Sequence, residues 1–188
     1  EFCPVVFTFR ADDAIENGIL NDYKIIIHEL ELSNENNYQI KTKTKSFISS
    51  ELKNYNYWGT RIDTAGGNVH MLRVMRMKAM MEYPSKEKYA QVLFNDIVRR
   101  DNKCILFANT QNQADKMSQY SYHSNNIDSE QNLEDFKKGK INHLSCVLQL
   151  NEGVNIPELR QGIIMHAYGN ERKAAQRIGR LLRLNPNE

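Results

Sequence analysis

Long apolar stretches are missing from this chain: no run of eighteen apolar residues occurs, and neither does a basic, apolar, small-residue leader pattern. Nothing in it therefore points to a membrane or to export. Cysteine is scarce, at three in 188 residues. The odd number argues against a disulfide framework, and Cys104 and Cys146 fall inside apolar runs, where cysteine acts as a small hydrophobe. The expected compartment is a reducing one, the cytoplasm. The five histidines, at 28, 70, 123, 143 and 166, have no metal-ligand spacing with cysteines or carboxylates, so no structural metal is expected. Charge of one sign is lacking too. A net +2 is too weakly basic to argue for nucleic acid unaided. Two short motifs are also absent. The only Gly-Lys pair is Gly139-Lys140, and Glu134 stands where a G-x-x-x-x-G-K-[ST] loop needs its first glycine. No Asp-Glu pair follows an apolar run to hold magnesium.

What is present suits one globular domain with an appendage. Hydrophobic residues make up 40% and charged residues 26%, which is neither a disordered nor a fibrous composition. Residues 23–32 alternate in their second half and read as a strand, and residues 33–58, rich in Asn, Lys and Ser, read as an excursion from the core. Within that excursion Lys41, Lys43 and Lys45 alternate, as protective lysines on an edge strand do; contact with phosphate is the other reading. Tyr55, Tyr57 and Trp58 form an aromatic group that either anchors the excursion or stacks on bases.

Five methionines among helix formers predict a helix over 71–81 with the methionines as core filler. A second helix is expected over 85–100, with Ser85 as its cap. Beyond it the expected order is strand 104–108, helix 111–119, strand 120–122, helix 129–138, strands 144–150 and 162–167, and helix 171–183. Alternation of this kind implies right-handed βαβ units: an α/β, three-layer fold with a mainly parallel sheet covered on both faces. Ligands of such sheets gather beyond the carboxyl ends of the strands.

The most informative segment is Gln176 to Arg183 (Q-R-I-G-R-L-L-R). At 100° per residue, Gln176, Arg180 and Arg183 lie at i, i+4 and i+7 and share one stripe, with Lys173 beside it. Ala174, Ile178, Leu181 and Leu182 fall opposite, where a helix buries its apolar face. Guanidinium forks at fixed spacing suit the oxygens of a phosphate that is changing charge. Taken alone, a solvated basic face explains the stripe equally well. Upstream lies Glu152-Gly153-Val154-Asn155-Ile156-Pro157, following the apolar run 144–150. Gly153 permits close backbone approach and Pro157 stops the strand from continuing.

Together these two segments resemble motifs V and VI of superfamily-two helicases and translocases, ATP-driven motors built from two RecA-like domains. Glu152 to Pro157 follows E-G-x-D/N-x-P, and Gln176 to Arg183 matches Q-R-x-G-R-x-x-R at every defined position. Lys103 to Thr110 is similar to motif IV, and Leu133-x-x-Phe136-x-x-Gly139 to the helix placed before the motif V strand. Asp13 to Tyr23 resembles the crossover segment of DNA-repair and restriction-type members.

The resemblance implies a second, C-terminal RecA-like domain, because the phosphate loop and the Asp-Glu box belong to the first. Residues 1–32 would be the crossover segment, 33–60 an insertion or linker, and 61–188 the second domain. Arg180 and Arg183 would be arginine fingers, with Gln176 near the γ-phosphate or the attacking water. Glu152, Gly153, Asn155 and Arg177 would belong to the nucleotide side; for Arg177, about 100° off the Gln176 line, a tie to a carboxylate within the domain is the other reading. Asn109, Thr110 and Gln149 would belong to the nucleic-acid track. Thr110-x-x-Gln113 fits a capping box, either as a cap alone or as a cap that also meets a phosphate. His123 reads as a surface residue. The implied cofactors are ATP and Mg2+, held mainly by the first domain. The implied partners are that domain and nucleic acid, DNA in preference to RNA. The competing class is a helicase-like binding module without motor function.

Overall fold

The computed structural model describes residue 13 and residues 16–18, 24–42, 44–147 and 156–166. Around its centre runs β3 (Cys104–Phe107), buried along its whole length. Parallel partners flank it: β5 (His143–Cys146) on one side and β6 (Gln161–Ile164) on the other. β4 (Ser121–Tyr122) pairs parallel with β5 and completes the order β4-β5-β3-β6. A strand with neighbours on both edges and cover on both faces requires apolar residues at every position, and Cys-Ile-Leu-Phe supplies them.

Side chains alternate across β3, so its two faces feed two cores. Cys104, Leu106 and Ala108 join Ala90 and Phe94 of α3 (Pro84–Arg99) and Ala114 and Met117 of α4 (Gln111–Met117). Ile105 and Phe107 join Leu133 and Phe136 of α5 (Ser129–Lys137), with Leu144 and Cys146 of β5. Helices thus cover both faces, which is the α/β, three-layer arrangement expected from the alternation of elements. Short excursions of one to three residues separate the expected ends from the observed ones, and residues 148–150 and 171–183 lie outside the described residues.

Before β3 the chain departs from expectation in four places. Residues 24–34 form no strand; Ile25, Ile26 and Ile27 are 58, 62 and 82% exposed, and no described residue pairs with their backbone. Apolar character without a partner edge does not make a strand. The lysines do not line one strand either. Lys41 ends β1 (Tyr38–Lys41) and Lys45 precedes β2 (Ser46–Ser49), with a turn closed by Thr42 between them; Lys43 lies outside the described residues.

The third departure is α1 (Glu51–Asp63), a helix that begins within the segment read as an excursion from the core and is tied back to that core by its first residue. Ser50 caps it by accepting from the Lys53 N–H. Its first residue, Glu51, is fully buried, and its carboxylate accepts from the Ser33 N–H, the Ser85 N–H and the Ser85 hydroxyl. Ser85 therefore serves Glu51, while Tyr83 stands at the cap position of α3 and Pro84 opens the helix, where a missing N–H costs nothing. The fourth concerns α2 (His70–Met81), which packs against α1. Met71, Met75, Met77 and Met80 are exposed and Met81 alone is buried. A helix apolar on several sides does not reveal which side is covered; a single neighbouring helix covers only one stripe.

Candidate functional site: the carboxyl rim of the parallel sheet

Three chain segments emerge at the carboxyl ends of β3, β5 and β6: residues after 107, after 146 and after 164. Of the residues expected there, Asn109 and Thr110 are described. Gln149, Glu152, Gly153, Asn155, Gln176, Arg177, Arg180 and Arg183 lie outside the described residues.

Thr110 is the N-cap of α4, and its hydroxyl accepts from the Gln113 N–H at 3.2 Å. That is half of a capping box. The reciprocal half differs from expectation. The Gln113 side chain reaches back one residue further, to accept from the Asn109 N–H at 3.0 Å. The cap therefore organises the exit of β3 as well as the start of α4.

Sequence reasoning missed the group on which this exit rests. Gln113 is 2% exposed and His166, just beyond β6, is 3% exposed. His166 Nε2 lies 2.9 Å from Gln113 Oε1, and Lys86 Nζ lies 3.4 Å from His166 Nδ1. The Gln113 amide donates to the Met81 carbonyl at 3.2 Å and to Glu87 Oε1 at 3.0 Å. Lys116 meets the other Glu87 oxygen at 3.4 Å. Burial lowers the pKa of Lys86 from its ordinary value, since a charged ammonium loses hydration there. Nothing in Thr-Gln-Asn-Gln signals such burial, because each partner comes from a different element.

A second polar cluster lies under β4. His123, expected at the surface, is buried, with Nε2 2.8 Å from Asp115 Oδ1. Asp115 also accepts from the Ser121 hydroxyl at 2.6 Å. Burial pulls the Asp115 carboxyl up, but the bonds from Ser121 and His123 outweigh it and hold the pKa below the ordinary carboxylate value. The Ser129 hydroxyl donates to the His123 carbonyl and accepts from its N–H, fixing the loop. The Ser/Asn-rich composition of this loop thus serves internal hydrogen bonding rather than solvation.

The aromatic group of α1 divides. Tyr57 is half exposed, stacks edge-on with Trp58 and holds Arg61 through its hydroxyl. Tyr55 instead receives the Arg76 guanidinium 5.1 Å from its ring centroid, linking α1 to α2.

Set beside known proteins, residues 85–185 match the family model described as the helicase conserved C-terminal domain. The chain belongs to that family. The match begins within α3 and takes in the whole parallel sheet and both expected motifs, Glu152–Pro157 and Gln176–Arg183. A curated relative, the DNA 3'-5' translocase XPB2 of Sulfurisphaera tokodaii, is 23% identical over 203 residues, covering 98% of this chain and 45% of the relative. The helicase-family chain thus spans about half the length of that relative. Among solved structures, the Pyrococcus furiosus Hef helicase domain superposes with a TM-score of 0.39 at 15% identity, over 67% of this chain and 31% of that one. That likeness is too distant to carry weight. Among the described residues no group of three His, Cys, Asp or Glu side chains could hold a metal ion, and no helix is long and apolar enough to cross a membrane.

Proposed function

We propose that this chain is the C-terminal motor domain of an ATP-dependent DNA helicase or translocase. In this reading it completes a nucleotide site whose phosphate loop lies on a preceding RecA-like domain. The observation that carries the reading is Gln176-Arg177-Ile178-Gly179-Arg180-Leu181-Leu182-Arg183, a full motif VI, in a chain of the helicase C-terminal family. A binding scaffold has no need of a glutamine and two arginines at i, i+4 and i+7. A charge-stabilising site does.

Phosphoryl transfer asks little covalent chemistry of a protein and depends on positioning and on neutralising charge on the equatorial oxygens. Arg180 and Arg183 are assigned as the fingers that supply that charge across the interdomain cleft, and Gln176 is assigned to the γ-phosphate or the water. Glu152, Gly153, Asn155 and Arg177 are assigned to the nucleotide side, where Asn155 would bond a ribose hydroxyl without the charge assistance of an aspartate. The reading places magnesium on the preceding domain, with the nucleotide phosphates. Asn109 and Thr110, at the exit of β3, are assigned with Gln149 to the nucleic-acid track. DNA is favoured over RNA because the curated relative is described as a DNA translocase. Closure on ATP and opening after hydrolysis would let the two domains grip the strand alternately.

The test is Arg180→Ala in the complete protein. Loss of an arginine finger lowers the turnover of DNA-stimulated ATP hydrolysis by roughly 10³-fold or more. Undiminished hydrolysis would overturn the finger assignment. A complete protein with no phosphate loop before this chain would favour a binding module instead.

A further inference from the structure

Gln113 stands where four elements converge. Its amide nitrogen donates to the carbonyl of Met81, the last residue of α2, and to Glu87 in the first turn of α3. Its oxygen accepts from the Asn109 N–H beyond β3 and lies 2.9 Å from His166 Nε2 beyond β6. Two amide hydrogens and two lone pairs are the full capacity of a glutamine, and all four are used. The amide's orientation follows from its backbone partners, since a carbonyl can only accept and an N–H can only donate. Gln113 Oε1 cannot donate, so His166 must carry its proton on Nε2. Nδ1 then accepts from the Lys86 ammonium at 3.4 Å.

We propose that Gln113 is a positioning residue that holds the exits of β3 and β6 as one body, coupling nucleic acid at the Asn109 side of the rim to the motif VI segment that follows His166. This rests on the motor reading above. A side chain 2% exposed, bonded at every position to four different elements, tolerates little relative movement among them. One atom, Gln113 Oε1, serves both the Asn109 N–H and His166 Nε2, so a shift at Asn109 that moves this oxygen alters the His166 bond as well. From His166 the chain runs ten residues to Gln176, the first member of the basic stripe. An apolar residue at 113 would fill the volume, but it would leave the Asn109 N–H, the Met81 carbonyl and His166 without this partner.

The experiment has two arms. In the complete protein, ATP hydrolysis is measured with and without single- and double-stranded DNA for wild type, Gln113→Leu, His166→Leu and His166→Gln. The expected result is that both leucine variants lose DNA-stimulated turnover by roughly 10- to 100-fold, the scale on which small misplacement acts. The KM for ATP should stay close to wild type, because nucleotide contacts are untouched. His166→Gln keeps an N–H near the Nε2 position and should restore the stimulation factor. A merely structural role lowers basal and stimulated rates together and leaves their ratio unchanged, and that outcome overturns the proposal. If wild type itself shows no DNA-stimulated hydrolysis, the motor reading fails and this coupling falls with it. The second arm does not depend on activity. Nitrogen-15 imidazole spectra of the 188-residue chain should show His166 as the Nε2–H tautomer, and Gln113→Leu should move the Nε2–H proton resonance upfield as its acceptor is lost. An Nδ1–H tautomer in wild type would refute the hub even in an active motor.

Discussion

Cys104 illustrates how burial alone sets the chemistry of a residue. It sits fully buried in β3 with cluster partners from α3 and α4, and burial pushes its thiol up to about 12. Almost no thiolate exists at neutral pH, so alkylation of Cys104 by iodoacetamide should be negligible in the native chain and rapid after unfolding in urea; peptide mapping distinguishes the two. Asp115, whose side chain is about half exposed, shows the opposite balance, because its desolvation is outweighed by the Ser121 and His123 bonds, which keep its carboxyl below the usual carboxylate value. A carboxylate whose folded pKa is depressed contributes stability that is present above its unfolded value and disappears as pH falls through the folded one. Asp115→Asn should therefore be less stable than wild type at neutral pH, with the gap closing on acidification below the ordinary carboxylate range. Urea unfolding at a series of pH values reads this directly. A gap that stayed constant would mean that packing, not charge, holds the position. At the same scale the Ser121–Asp115–His123 group could not be read from sequence: its members are six and eight residues apart and meet only because α4 and β4 pack together.

Helix ends show how much a short sequence can specify about an element. α5 ends in a Schellman arrangement, with the Gly139 N–H donating to the Phe136 carbonyl and the Lys140 N–H to the Asp135 carbonyl. Gly139 has φ +70°, and no atom lies within 4 Å of an added Cβ, so the cost of a side chain there is backbone strain without a clash. Gly139→Ala should destabilise the chain by about 1 kcal/mol, measured by chemical denaturation. A neutral result would show that the turn relaxes. α3 ends with the same bonding pattern, from Asp101 to Val98 and from Asn102 to Ile97, but with Asp101 at φ +57° in the glycine position. The Asn142 amide donates to the Asp101 carboxylate at 2.8 Å, which offsets some of the strain. The Leu133-x-x-Phe136-x-x-Gly139 pattern was legible because capping and the apolar stripe are local. α2 was legible as a helix but not in its orientation. Four of its five methionines face outward, since the coverage of a helix depends on neighbours that its own period does not name.

For the whole molecule, the chain belongs to the helicase C-terminal family and spans about half the length of the curated relative it matches. The 188-residue chain alone should show no Mg2+-dependent ATP hydrolysis above background, with or without DNA, in a coupled assay. Measurable turnover would contradict the division of labour between two domains, because phosphate binding would then have to come from residues of this chain. The same test bears on Gly139-Lys140: the pair terminates a helix here, and Lys140 forms an ion pair with Asp135 at 2.9 Å rather than standing in a phosphate loop.

Much of this protein was determined by sequence alone. Cys-Ile-Leu-Phe at 104–107 and the βαβ alternation each depend on local chemistry: a doubly covered strand needs continuous apolar residues, and an amphipathic helix needs its own period. Tertiary structure alone decided what those elements share. Glu51 binds α1 to the start of α3, and Gln113 ties α2, α3 and the exits of β3 and β6 into one buried knot. A polar side chain reads as solvated or capping until its partners are known, and those partners are brought within bonding distance only when the sheet assembles.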